Sequence, residues 1–160
     1  MATIINPTPI APQTFNSFWI AQLQLINRAG KTMLQAALSP SDGTHLLATG
    51  GKRVFVADLD AEAAGDAATQ AALADLRAEV QRLATAAGVE GAVEIIQVTA
   101  PDPAKPVTAQ VLFAQTQGEA APAPLRIADC FAKAAADAQF GAVFGETLAM
   151  VARLAGLSVS

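Results

Sequence analysis

The chain predicts an α+β fold: antiparallel β-hairpins forming a sheet, packed by one central helix and C-terminal helices. Three observations carry this. Apolar residues recur with a period of two over residues 18–26 and 31–38. The spacing then switches to a 3-4-3-4 repeat at Leu73, Leu76, Val80, Leu83 and Ala87. A second pair of strand-like stretches, 92–99 and 107–115, follows before a final apolar helix. Strands in adjacent pairs, grouped apart from the helices, give a mainly antiparallel sheet. At 160 residues the chain is the size of one ordinary domain. Residues 1–14 read as an extended N-terminal arm and 15–160 as a single α+β domain.

The arm contains Pro7, Pro9 and Pro12, each of which fixes φ and removes a backbone donor. Ile4, Ile5 and Ile10 give it apolar anchors, and Phe15, Phe18 and Trp19 follow directly. Residues 1–27 carry no charged side chain. Protein interfaces are depleted in charge at their centres and enriched in aromatics. These six residues are therefore the candidate protein interface. In the first strand Trp19, Ala21, Leu23 and Leu25 share a face. Asn27-Arg28-Ala29-Gly30 turns the chain back into 31–38, and Ser39-Pro40-Ser41-Asp42-Gly43 makes another turn. Residues 45–49 and 52–57 flank Gly50-Gly51, which predicts a two-residue hairpin. A helix over 66–87 starts on Asp66 as cap and ends at Gly88. Residues 100–106, with three prolines, and 117–124 are loops. Residues 126–157 read as one or two helices. In the last, Phe140, Val143, Phe144, Thr147, Leu148, Val151, Leu154 and Ala155 fall in one sector facing the core.

Composition excludes several functions. Alanine supplies 38 of the 160 residues, so much of the apolar content is single methyl groups. The net charge of −4 leaves no basic surplus to neutralise phosphates, which argues against nucleic acid as a partner. One Cys makes no internal disulfide, and one Cys with one His makes no structural zinc site. Neither a signal peptide nor a run of about 20 apolar residues is present, so no membrane partner is expected. The expectation is a protein that stays in the cytoplasm or assembles into a particle there.

Four patterns look chemical, and each has a structural explanation. Gly30-Lys31-Thr32 matches the end of a P-loop, but Leu25 stands where the first glycine belongs and a strand follows instead of a helix. Asp58 and Asp60 end an apolar strand as Asp-x-Asp, which resembles the first motif of haloacid-dehalogenase-type phosphatases. That resemblance implies a nucleophile and a general acid beside magnesium. The chain departs from it at Glu62, where such proteins usually carry Thr or Val, in its hairpin context, and in lacking a clear downstream Asp-Asp pair. The plain alternative is acidic residues near a helix start. His45 and Cys130 are the ingredients of a thiolate–imidazole pair, and Cys130 lies near an expected helix start, where a thiol pKa falls. A lone Cys is more often a small buried apolar residue. Gly141 and Gly145 have G-x-x-x-G spacing, read as close helix packing. No catalytic, cofactor or metal residue is assigned.

The start Ser17-Phe18-Trp19-Ile20, the hairpin ending Lys52-Arg53-Val54-Phe55-Val56 and the short final helices together resemble small virion proteins of tailed bacteriophages and prophages. The resemblance implies a non-enzymatic structural or assembly protein of the tail, baseplate or neck. Such a protein binds copies of itself and other virion proteins as a homo-oligomer, in a virion assembled in the host cytoplasm. A capsid decoration protein, a cytoplasmic adaptor and a small magnesium-dependent phosphatase using Asp58 and Asp60 are the alternatives.

Overall fold

A computed structural model describes residues 17–157 except 29, 43, 48, 49, 116, 117, 119 and 121. Its elements are β1 (Ser17–Arg28), β2 (Lys31–Ser41), β3 (Arg53–Asp58), α1 (Leu59–Gly65), α2 (Ala67–Ala86), β4 (Val93–Thr99), β5 (Thr108–Phe113), β6 (Leu125–Ile127), α3 (Cys130–Ala136) and α4 (Ala138–Leu154). The six strands form one antiparallel sheet in the order β3-β2-β1-β4-β5-β6. The fold is α+β, as the hairpin pattern predicts. The two strand groups join through β1 and β4, where Leu23 pairs with Val98 and Leu25 with Ile96.

Alternate strand residues point to the helices, and the most buried of them lie in β1 and β2. Leu23, Leu25, Leu34 and Ala36 meet Ala72 and Leu73 of α2 and Met150 and Val151 of α4 in the main core. Farther along, Val80 and Ala84 of α2 pack on Val111 and Phe113 of β5. Phe140, near the start of α4, packs with Val107 beside β5. Each long helix thus crosses from one half of the sheet to the other.

Three expectations need correction. Of the expected strand 45–49, the described residues 45–47 make no ladder with 52–57; Leu46 makes a bridge to Ser41, and 48 and 49 lie outside the described residues. β3 pairs with β2 instead, Ala57 against Leu34 and Phe55 against Ala36, which extends the buried face across a third strand. A separate short helix, α1, precedes α2, because Asp58 caps its start and Asp66 both ends it and caps the next. Residues 125–127 are a strand, not the start of a helix. Leu125 and Ile127 turn toward the core from β6, and three residues are too few to display a period.

The topology is a duplication. β1-β2-β3-α1-α2 and β4-β5-β6-α3-α4 have the same order, and the antiparallel pairing of β1 with β4 relates them by an approximate twofold axis normal to the sheet. Asp58 and Asp129, Asp66 and Asp137, and Arg82 and Arg153 are each separated by 71 residues. All four aspartates are helix N-caps. The arginines cross over. Arg82, near the end of α2, bonds the Asp137 cap of α4 at 2.8 Å, and Arg153, at the end of α4, lies 3.4 Å from the Asp66 cap of α2. Arg82 also grips Glu79, a side chain only 3% exposed. Each long helix ends in the left-handed turn that glycine alone adopts without strain, at Gly88 and Gly156.

Two substitution pairs test this packing. An added Cβ at Gly141 would lie 2.8 Å from the Ala134 carbonyl oxygen, whereas at Gly145 it would meet nothing. Gly141→Ala therefore destabilises, while Gly145→Ala stabilises by up to about 1 kcal/mol from helix propensity; urea unfolding reads the opposite signs. Arg82→Ala strands the buried Glu79 carboxylate, while Arg153→Ala releases the 40% exposed Asp66 and a Thr69 hydroxyl that keeps its bond to Asp66. The expected result is a larger fall in unfolding midpoint for Arg82→Ala.

Candidate protein-interaction site

β1 carries a bulge at Ala21, where its register with β2 shifts between Ile20 and Gln22. A bulge inserts one residue and re-aims the strand beyond it. Ahead of the bulge, residues 17–20 pair with β2 alone, since the pairing with β4 covers only 22–26. Just past β4, Ala100 donates its N–H to the Ala21 carbonyl at 2.8 Å and accepts the Trp19 indole N–H at 2.8 Å. The chain then leaves through Pro101 and Pro103. The start of β1 is thereby left as a strand edge beside an opening.

That opening is an apolar groove of about 500 Å³ between the start of β1 and the α3–α4 pair. Phe18, Trp19 and Ile20 form one wall, and Phe131, Phe144 and Leu148 the other. The Phe131 and Phe144 rings meet edge to face at 5.7 Å, and Phe140 stacks on Phe144 at 5.7 Å. Phe131 is 54% exposed, unusual for a side chain of that size. The Arg53 guanidinium lies 4.6 Å over the Phe18 ring. Ser17 and Leu157 also line the groove.

Of the six residues singled out in the sequence, the structure brings Phe18 and Trp19 together on this groove. Ile4, Ile5, Ile10 and Phe15 lie outside the described residues. The sequence pattern places Phe140 and Phe144 on a core-facing sector, and Phe140 is buried in the core; Phe144, stacked on it, also lines the groove beside Phe131, to which the pattern assigns nothing. The available signal is Phe131 itself, a large apolar residue on a short helix of its own, off the sector of α4.

The patterns that look chemical have other occupations. The Asp58 carboxylate accepts the N–H groups of Asp60 and Ala61 as the cap of α1. Asp60 accepts the Thr32 N–H at 2.6 Å and pairs with Arg77, which together hold its carboxyl below the usual range. Thr32 therefore ties the β2 start to α1, and Gly30-Lys31-Thr32 opens a strand. His45 bonds Asp42 within its own turn. Cys130 is fully buried among Ala100, Val107 and Phe140. Burial and the Asp129 charge push its thiol up to about 11, the reverse of the lowering that a helix start suggests. Among the described residues no three His, Cys, Asp or Glu side chains are placed to hold a metal, and no helix is long and apolar enough to cross a membrane.

No protein-family model, no curated protein and no solved structure matches the chain.

Acid stability follows from two of the caps and from Asp60 in the first turn of α1. Asp60, Asp66 and Asp137 all have folded-state pKa values below the ordinary aspartate value, each lowered chiefly by hydrogen bonds to the carboxylate. Such groups stabilise the fold above the unfolded value, and that contribution is lost as pH falls through the lowered values. Urea midpoints measured from about pH 6 to about pH 2.5 should hold nearly level to about pH 4 and then drop. Asp137→Asn should flatten part of that drop.

Proposed function

We propose that the chain is a structural assembly protein that works by binding other protein chains, and that the groove receives the N-terminal arm of a second copy. The observation that carries this reading is the groove itself: an apolar, aromatic-walled slot beside a strand edge that lacks a partner among the described residues. An extended peptide fits such a site by laying its backbone along the edge and its side chains into the slot. The sequence of the arm, with Pro7, Pro9 and Pro12, no charged side chain, and Ile4, Ile5 and Ile10 as anchors, reads as such a peptide. It leads into β1, whose first residue, Ser17, lines the groove. The sequence resemblance to small virion proteins of tailed bacteriophages and prophages supports a particle as the setting, with the tail, baseplate or neck as the place of assembly.

Deleting residues 1–14 tests the reading. Light scattering after size exclusion should show the full chain as an oligomer whose mass falls on truncation, with the melting temperature nearly unchanged. Phe131→Glu, which puts a charge in the slot, should have the same effect on mass. A truncated chain that assembles like the full one would sink the proposal.

A further inference from the structure

The side of the sheet away from the helices carries three cross-strand rows. The middle row runs Val56, Gln35, Gln24, Gln97, Gln110, Arg126, one residue from each strand. On one side of it lie Asp58, Met33, Ile26, Ile95 and Leu112, and on the other Val54, Ala37, Gln22, Thr99 and Thr108. None of these side chains belongs to the core clusters. Val54 and Val56 are 67% and 59% exposed. Across β2, β1, β4 and β5 the three rows contain no charged side chain. Charge appears at the two edges, Asp58 on β3 and Arg126 on β6. An uncharged centre with charges at the rim is the layout of a protein interface.

We propose that this face pairs two copies of the chain, sheet against sheet, about a twofold axis parallel to the strands. Two features point to a second copy as the occupant. A glutamine amide both donates and accepts, so a row of glutamines is its own complement in a way that a row of like charges is not. The proposed axis lays β3 of one copy over β6 of the other, so at both ends Arg126 lies one row from Asp58, which caps α1 and is 3.9 Å from Lys31 in its own copy. It also sets the exposed Val54 and Val56 over a depression of about 460 Å³ lined by Gln97, Thr99, Thr108, Gln110 and Arg126. At about 4.8 Å between strands and about 6.8 Å between rows, the face covers roughly 550 Å² per copy. The total of roughly 1,100 Å² falls just below the standard range of stable interfaces, in the range of transient ones. The surface lies on the opposite side of the sheet from the groove and does not depend on the arm.

A crosslinking experiment on the full chain reads this geometry directly. Within one copy Val56 and Arg126 are separated by five strand spacings, about 24 Å, too far for a short crosslinker. In the proposed dimer each lies opposite the other residue of the second copy, about 10 Å away. The doubly substituted chain, Val56→Cys with Arg126→Cys, treated with a bis-maleimide of about that span at about 100 µM protein, should become a covalent dimer. Either single substitution alone should stay monomeric on a denaturing gel. The native Cys130 is fully buried and does not compete. Adding Gln24→Lys and Gln97→Lys should abolish the crosslink while circular dichroism stays unchanged. The proposal is overturned if the double variant crosslinks no better than the singles, if a single variant dimerises as well, or if the lysines leave the crosslink intact. Because no arm residue is changed, this outcome is independent of the truncation result.

Discussion

An aspartate at a helix start satisfies free N–H groups and sits at the positive end of the helix dipole. Arg153, in the last turn of α4, sits at the negative end of its own helix, and Arg82 lies just before the last turn of α2. In antiparallel helices these two positions are neighbours, and here both corners are closed: Arg82 on Asp137 and Arg153 on Asp66. Each contact therefore joins a cap in one half of the duplication to a helix end in the other. The aspartates also set where the chain breaks, because Asp66 and Asp137 have extended backbone angles between a short helix and a long one. The crossing of α2 and α4 over the sheet is fixed at both ends by this exchange, and the mixed core beneath them follows.

Small residues make that crossing close. Alanine is abundant in both helix pairs, and Gly141 brings α4 within reach of the Ala134 carbonyl of α3. Such helices present little bulk of their own, so the sheet supplies many of the large core side chains: Leu23, Leu25 and Leu34 are among the most buried residues. The burial of one sheet face in this way leaves the alternate residues of the same strands on the other. The glutamine row is the direct consequence of the period of two, centred on the Gln24–Gln97 pair.

Much of the fold is legible in the sequence because long elements repeat their signal. The alternation through Leu23 and Leu25 and the helical spacing of Leu73, Leu76 and Val80 both survive into the structure. The short elements are not legible: α1 has one buried residue, Leu59, and β6 has only three positions. Gly50-Gly51 misleads because a glycine pair signals a tight turn but does not identify which strand the chain returns to. The aspartates mislead more deeply. Asp58 and Asp60 look like paired chemistry when read alone, and as caps and anchors when Asp129 is set beside Asp58 at the repeat distance. Of the groove, Phe18 and Trp19 are legible as aromatics after an uncharged arm. The opposite wall needs the third dimension, since no local pattern shows that α3 and α4 come to face the start of β1.

The duplication also supplies an internal comparison for the groove. Positions 71 residues apart occupy equivalent places on the two helix pairs, so each half shows what the other requires for folding alone. Where the second half has Phe131, the first has Asp60, engaged by the Thr32 N–H and Arg77. Where it has Phe140 and Phe144, the first has Thr69 and Leu73, one bonded to Asp66 and the other in the core. The same local fold thus forms without any aromatic ring at these three places. Packing the helix pair does not call for an exposed Phe131 or a group of three phenylalanines. Their location beside the start of β1, where β4 offers no pairing, places the departure from symmetry at the groove. The asymmetry at Phe131 and Phe144 thus falls on the slot proposed for another chain.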